Sequence, residues 1–219
     1  MARWVVMNNP YSTGLDRNPA NFQPLTPLTF LERAASVYPN HTAIIHGNLK
    51  RNYSAFYSRS RQLAAALSNQ GITRGDTVSV ILSNTPAMLE AHYGVPMCGA
   101  VLHSINTRLD PETIAYQLDH SESKALIVDR EFLETARSSL ELSKVTPILI
   151  DYNDSENPIK ESLANATEYE SFLKQGDEDY EWLMPEDEWD AISLNYTSGT
   201  TGNPKGVVSH HRGAYLLAQ

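Results

Sequence analysis

The sequence predicts an α/β protein with a mostly parallel sheet covered by helices on both faces. Two observations carry this. Short strand-like runs such as VSVIL, KALIVD and TPILID alternate with helical stretches, the rhythm of βαβ units. Those runs also read as buried strands, as parallel strands between helix layers must be.

The elements follow in order. Residues 1–28 hold Pro10, Pro19, Pro24 and Pro27 without clear periodicity, so they read as an extended arm ahead of a domain over 29–219. Thr29 is placed to cap a helix over Phe30–Tyr38. TAIIHGNLKRNYS alternates about Gly47-Asn48, a hairpin pattern. Ser54 is placed to cap a helix over Ala55–Asn69, with Gly71 as its stop. A strand at Val78–Leu82 leads to a helix from Pro86 to Cys98, kinked or broken near Pro96. AVLHSI is the next strand, and Asp110-Pro111 opens the next helix. KALIVD, REFLETARSSLEL and TPILID then read as strand, helix and strand. Residues 152–190 break the rhythm and read as an acidic surface excursion with one helix near Glu168–Lys174. WDAISLNYTS returns to strand character.

Composition sets bounds. With 41% hydrophobic and 20% charged residues, the chain has the make-up of a globular protein. Its net charge of −9 argues against a nucleic-acid partner. That charge is local, because residues 151–190 hold 14 acidic and 2 basic residues. A neutral or basic site elsewhere therefore stays open. Cys98 is the lone cysteine, which rules out an intrachain disulfide and reads as a small core residue. No transmembrane segment is expected, since no stretch approaches roughly 18 apolar residues. Trp4–Met7 is too short for a signal-peptide core, so the chain reads as cytosolic.

The chemistry concentrates in YTSGTTGNPKG, Tyr196–Gly206. Gly199, Gly202 and Gly206 leave backbone N–H groups unobstructed, and successive N–H groups in a turn form a nest for an anion. Thr197, Ser198, Thr200 and Thr201 add hydroxyls, and Lys205 adds a mobile cation suited to phosphate. The spacing fits neither the Walker loop nor the dinucleotide Gly-x-Gly-x-x-Gly pattern. Both of those lead into a helix. Here Pro204 and Val207-Val208 suggest strand, loop, strand.

This run closely resembles the phosphate-binding loop of adenylate-forming enzymes, written [Tyr/Phe]-Thr-Ser-Gly-[Thr/Ser]-Thr-Gly-x-Pro-Lys-Gly-Val. Every fixed position from Tyr196 through Val207 is met. The flanks VVSHHRGAY, YPNHTAIIHG, NYSAFYSRSRQLAAAL and GITRGDTVSVILSNTPAMLEAHYGVPMCGAVLHSINTRL also resemble that family, and His211-Arg212 match its Ser/Thr-His-Arg/Lys continuation. The wording is most similar to short- and medium-chain or aromatic acyl-CoA ligases.

The resemblance implies the first part of a large N-terminal domain and two half-reactions. A carboxylate, fatty or aromatic, attacks ATP to give acyl-AMP and pyrophosphate. The thiol of CoA then takes the acyl group and releases AMP. It further implies that Ser198, Gly199, Thr200, Thr201, Gly202 and Gly206 line the phosphates, and that Thr197 contacts Mg2+. Lys205 is implied as the catalytic cation. Tyr196 is expected to pack at the strand end. In that family the magnesium glutamate, the ribose-binding Asp and the adenylation Lys come after this loop. Only 13 residues follow Gly206. The chain is thus expected to be an N-terminal fragment, inactive alone.

Competing readings are a non-catalytic ATP-binding module or partner of a full-length enzyme, and an unusual phosphate-loop ATPase. A hydrolase using Ser198 with His210 or His211 lacks the Gly-x-Ser-x-Gly elbow. His92, His103 and His120 are expected to be packing or surface residues. Asn106, Arg108 and Leu109 are expected to link elements.

Overall fold

The computed structural model describes residues 11, 13–197 and 203–219. Most of the loop, Ser198–Gly202, and the start of the N-terminal arm lie outside the described residues.

Helix α1 (Leu28–Val37) precedes a two-stranded hairpin, β1 (Thr42–His46) and β2 (Leu49–Asn52). Gly47 takes φ 55° at the hairpin turn, where the left-handed backbone favours glycine. Then come α2 (Tyr53–Asn69), β3 (Thr77–Ile81), α3 (Pro86–Met97), β4 (Val101–Ser104), α4 (Pro111–His120), β5 (Ala125–Asp129), α5 (Leu133–Leu142) and β6 (Ile148–Tyr152). The chain continues through β7 (Thr167–Glu168), α6 (Tyr169–Leu173), β8 (Ala191–Thr197), β9 (Lys205–His210) and α7 (His211–Leu217).

Seven strands form one sheet in the order β7-β6-β5-β3-β4-β8-β9. All neighbours are parallel except β8 and β9. Each central strand feeds two cores, as its period of two requires. In β5, Ala125 and Ile127 join the core under α1, α2, α3 and α6. Leu126 and Val128 join the core under α4 and α5. The expected α/β architecture is therefore present, with helices on both faces.

Several boundaries differ from the sequence reading for local reasons. α1 starts at Leu28, one turn position after Pro27, whose fixed φ suits a helix entrance. The Thr26 hydroxyl accepts from Leu28 N–H at 3.3 Å, while Thr29 donates its hydroxyl back to the Thr26 carbonyl. Asn52, not Ser54, caps α2 by accepting from Ala55 N–H at 2.8 Å. α3 runs unbroken to Met97; Pro96 lies one residue before its end, so the N–H it lacks removes a bond from the last turn alone. α5 is entered through a 3-10 turn at Arg130–Phe132. Asp110 caps α4 as expected, accepting from Thr113 N–H at 2.8 Å.

The acidic segment is not purely a surface excursion. β7 adds an edge strand beside β6, and Glu168 caps α6. Tyr169, Phe172 and Leu173 are fully in the core. The helix seen in the sequence is there, but its apolar face is structural.

α2 and α3 approach closely at Gly94. A Cβ there would lie 2.8 Å from the Ser60 carbonyl and from Leu63 Cδ2. A buried ionic cluster ties the same helices to α6. Arg59 and Arg51 both donate to Glu90, Arg59 also pairs with Glu170, and the Tyr169 hydroxyl donates to Glu90 at 2.9 Å.

Candidate phosphate-loop site

The loop joins two antiparallel neighbours. Tyr196 faces Gly206 and Thr197 faces Lys205 across the β8–β9 ladder. This is the strand, loop, strand arrangement anticipated from Pro204 and Val207-Val208. β8 runs parallel to β4, with His103 opposite Leu194. The loop thus leaves from the carboxyl edge of the parallel sheet, where open α/β folds place their ligands. Thr197, Lys205 and Gly206 are exposed there. The positions between them expected to touch phosphate, Ser198, Gly199, Thr200, Thr201 and Gly202, lie outside the described residues.

Gly206 sits in extended strand opposite Tyr196, so its lack of a side chain serves close approach. An added Cβ would meet Leu194 Cδ1 at 3.0 Å and the Tyr196 ring at 3.7 Å. Burial pushes the Tyr196 phenol up to about 12. The hydroxyl is neutral near pH 7 and acts as a hydrogen-bonding group. It does more than pack at the strand end: it meets His120 Nδ1 at 2.6 Å. One turn earlier on α4, the Tyr116 hydroxyl donates to the Pro204 carbonyl at 3.4 Å. These contacts escaped the sequence reading, although the i, i+4 spacing of Tyr116 and His120 was a usable signal.

Behind Tyr196 lies a buried polar network. His103 is fully buried, with its ring 5.0 Å from that of Tyr196. Its Nδ1 meets the Ser79 hydroxyl at 2.8 Å, and its Nε2 meets Gln117 Oε1 at 3.3 Å. The Gln117 oxygen can only accept, so Nε2 carries the proton and Nδ1 accepts from Ser79. Ser79 continues to Ser123 and on to Ser121. Burial holds the His103 imidazole down at about 4, against a smaller opposing effect of Gln117. It is a neutral structural group at physiological pH.

The other histidines are accounted for. His210 Nδ1 accepts from Gly213 N–H at 2.8 Å and caps α7. His211 is buried, with Nδ1 2.9 Å from the Thr26 hydroxyl, and burial holds it at about 4. Arg212 pairs with Glu188 at 2.6 Å, and Glu188 also accepts from Leu25 N–H. The His211-Arg212 stretch therefore ties the arm to α7. Both imidazoles are thus engaged by Gly213 and Thr26, while Ser198, the serine of the hydrolase reading, lies outside the described residues. His92 and His120 are exposed on their helices. Cys98 is buried, its thiol pushed up to about 11 by burial and donated to the Val95 carbonyl. Asn106 accepts from Arg108 N–H and so shapes the turn into α4.

The AMP-binding enzyme family matches residues 31–219. The chain belongs to that family. It is 48% identical over 215 residues to a peroxisomal acetate/butyrate–CoA ligase of Arabidopsis thaliana, covering 93% of this chain and 38% of that protein. It is 47% identical over 214 residues to a peroxisomal trans-cinnamate:CoA ligase of Petunia hybrida, covering 90% of this chain and 37% of the relative. Among solved structures, an anthranilate CoA ligase in complex with anthranoyl-AMP superposes with TM-score 0.77 at 24% identity, over 90% of this chain and 37% of that one. A benzoate CoA ligase from Burkholderia xenovorans gives TM-score 0.75 at 23% identity, over 88% and 36%. The fold is thus that of the first part of the N-terminal domain of adenylate-forming enzymes. The chain spans about 38% of the length of the curated relatives it matches. Among the described residues no helix is long and apolar enough to cross a membrane.

Proposed function

We propose that this chain supplies the phosphate-binding part of an ATP-dependent acid–thiol ligase. A full-length enzyme carrying it converts a small carboxylic acid, short-chain or aromatic, to acyl-AMP and then to acyl-CoA. The observation that carries this reading is the Tyr196–Val207 run, held between adjacent strands at the carboxyl edge of a parallel sheet. The titles of the relatives, which name acetate, butyrate and cinnamate as their acids, support the substrate class.

On this reading Ser198, Gly199, Thr200, Thr201 and Gly202 donate to phosphate oxygens. Gly206 leaves room for Leu194, whose Cδ1 an added Cβ would approach to 3.0 Å at the foot of the loop. Lys205 stands directly across from Thr197, so its cation and that hydroxyl share one end of the hairpin. A partner of preorganised donors lowers the cost of charge developing as the carboxylate attacks phosphorus.

Mg2+ fits this place in a limited way. The described residues hold no cluster of three or more His, Cys, Asp or Glu that could hold a metal. Mg2+ is usually held by few protein oxygens together with water and phosphate. The exposed Thr197 hydroxyl supplies one hard oxygen of that kind. Bound there, the ion would neutralise phosphate charge.

The test is direct. A full-length chain containing residues 1–219 is given ATP, Mg2+, CoA and a panel holding acetate, butyrate, benzoate and cinnamate. Acyl-AMP and acyl-CoA are the expected products. Absence of both across the panel sinks the reading. A second reading is an ATP-binding module that pairs with a full-length enzyme. It predicts nucleotide binding without carboxylate-dependent pyrophosphate release. Phosphate release without any acid would instead mark an ATPase. The cytosolic compartment is also proposed; both plant relatives named above are called peroxisomal. Imaging the tagged full-length enzyme against a peroxisomal marker decides between these.

A further inference from the structure

We propose that Tyr116 and His120 are positioning residues that fix both feet of the phosphate loop, acting through the Tyr196 hydroxyl on one side and the Pro204 carbonyl on the other. This rests on the reading that the loop holds the phosphates of ATP.

The geometry supports it from both ends of the loop. Tyr116 and His120 are four residues apart, so they share one face of α4. Their rings stack at 5.5 Å. His120 meets the Tyr196 hydroxyl at 2.6 Å, just before the loop begins. Tyr116 reaches the Pro204 carbonyl at 3.4 Å, just before Lys205. One helix therefore touches the chain as it enters the loop and again as it leaves.

That helix is a firm base. Asp110 caps its start, and Ile114 and Leu118 are wholly buried in the second core. Tyr196 is braced from behind as well. The His120 ring meets it edge-on at 5.6 Å, and the His103 ring lies at 5.0 Å. His103 is itself fixed by Ser79 and Gln117. Because His120 is exposed, its side chain carries little of the core. Its removal should therefore act on the loop and leave the fold standing.

The experiment uses the full-length ligase and the variants His120→Ala, His120→Asn, Tyr196→Phe and Tyr116→Phe. The two half-reactions are measured separately, with acyl-AMP supplied for the second. Amide exchange is followed at Thr197 and Lys205, with β5 as the internal control. A lost neutral hydrogen bond is worth about two- to tenfold in an equilibrium. His120→Ala and Tyr196→Phe are each expected to raise KM for ATP, or lower the adenylation rate, by about that factor. Their double variant should do little worse than either, since both remove the same contact. His120→Asn should recover part of the loss, because its amide can occupy the place of Nδ1. The thioester step and the melting temperature should hardly move. Exchange at Thr197 and Lys205 should quicken while β5 stays unchanged. Equal losses in both half-reactions, or unaltered exchange at Thr197 and Lys205, would overturn the proposal. If the wild type forms no acyl-AMP at all, the ligase reading fails, and the exchange result alone decides the positioning role.

Discussion

Glu90 and Arg59 meet at two points inside the protein. Arg59 Nε donates to one carboxylate oxygen at 2.6 Å and Nη2 to the other at 3.2 Å, and Glu90 is fully buried. The pair links α2 to α3, and Tyr169 and Glu170 connect it to α6. Such a charge tolerates burial only while its partners remain. Glu90→Ala would leave two partly buried guanidinium groups short of their carboxylate. It is expected to cost about 3–5 kcal/mol, read as a lower urea midpoint. A cost under about 1 kcal/mol would show that water or Glu170 takes over.

Gly94 is the point where α2 and α3 come closest. A methyl group would strike the backbone carbonyl of Ser60, which cannot swing away. Gly94→Ala should therefore destabilise by about 1–3 kcal/mol, although alanine is the better helix former. A gain in melting temperature would contradict this.

Acid should weaken the fold through its buried histidines. Burial holds His103 and His211 at about 4 in the folded state. An unfolded histidine titrates near 6.5. Between those values the unfolded chain binds protons that the folded one refuses, so stability rises with pH. The contribution is complete above about 6.5 and is lost as pH falls towards 4. For His103 the full loss is roughly 3 kcal/mol. Urea midpoints at pH 5 and pH 7 should differ clearly in the wild type and less in His103→Asn. Equal midpoints in the wild type would refute the account.

Lys205→Ala should impair adenylation and spare the thioester step, because pyrophosphate has left by then. A charge-assisted contact of this kind is worth roughly 1.5–3 kcal/mol, or about ten- to a hundredfold. Lys205→Arg should rescue only in part, since a planar fork replaces a compact charge poorly. Equal losses in both half-reactions would assign the lysine to structure.

Residues 1–219 alone are expected to show no turnover and to self-associate. The outer edge of β9 has no partner among the described residues, and Val207 and Val208 are exposed at 49% and 61%. An open apolar strand edge invites pairing with another chain. Light scattering and AMP release on the purified 1–219 protein check both halves. A monomer with robust AMP release would reverse the expectation.

Local chemistry was readable in the sequence wherever it is decided locally. The Asp110-Pro111 start of α4 and the Gly47-Asn48 turn both appear where their residue types required. The position of the loop between two strands was likewise visible from Pro204 and the valines after it. What could not be read depends on residues distant in the chain. Ser79 meets His103 across 24 positions and Ser123 across 44. Glu90 looks like one more polar residue on a helix until Arg51 and Arg59 are folded against it. In the acidic segment, density of charge hid the apolar face formed by Tyr169, Phe172 and Leu173.

The pairing of Thr197 with Lys205 has one more consequence. It holds the two ends of the span 198–204 about one strand spacing apart, near 5 Å. The span is in effect a macrocycle closed by the ladder. Ring closure depends only weakly on ring size: one inserted residue adds ~0.1 kcal/mol by the logarithmic law. Lengthening this ring should hardly disturb folding, yet on the proposed reading it would shift the groups that meet phosphate. Melting curves would then be a poor guide to damage here, and nucleotide affinity a sensitive one.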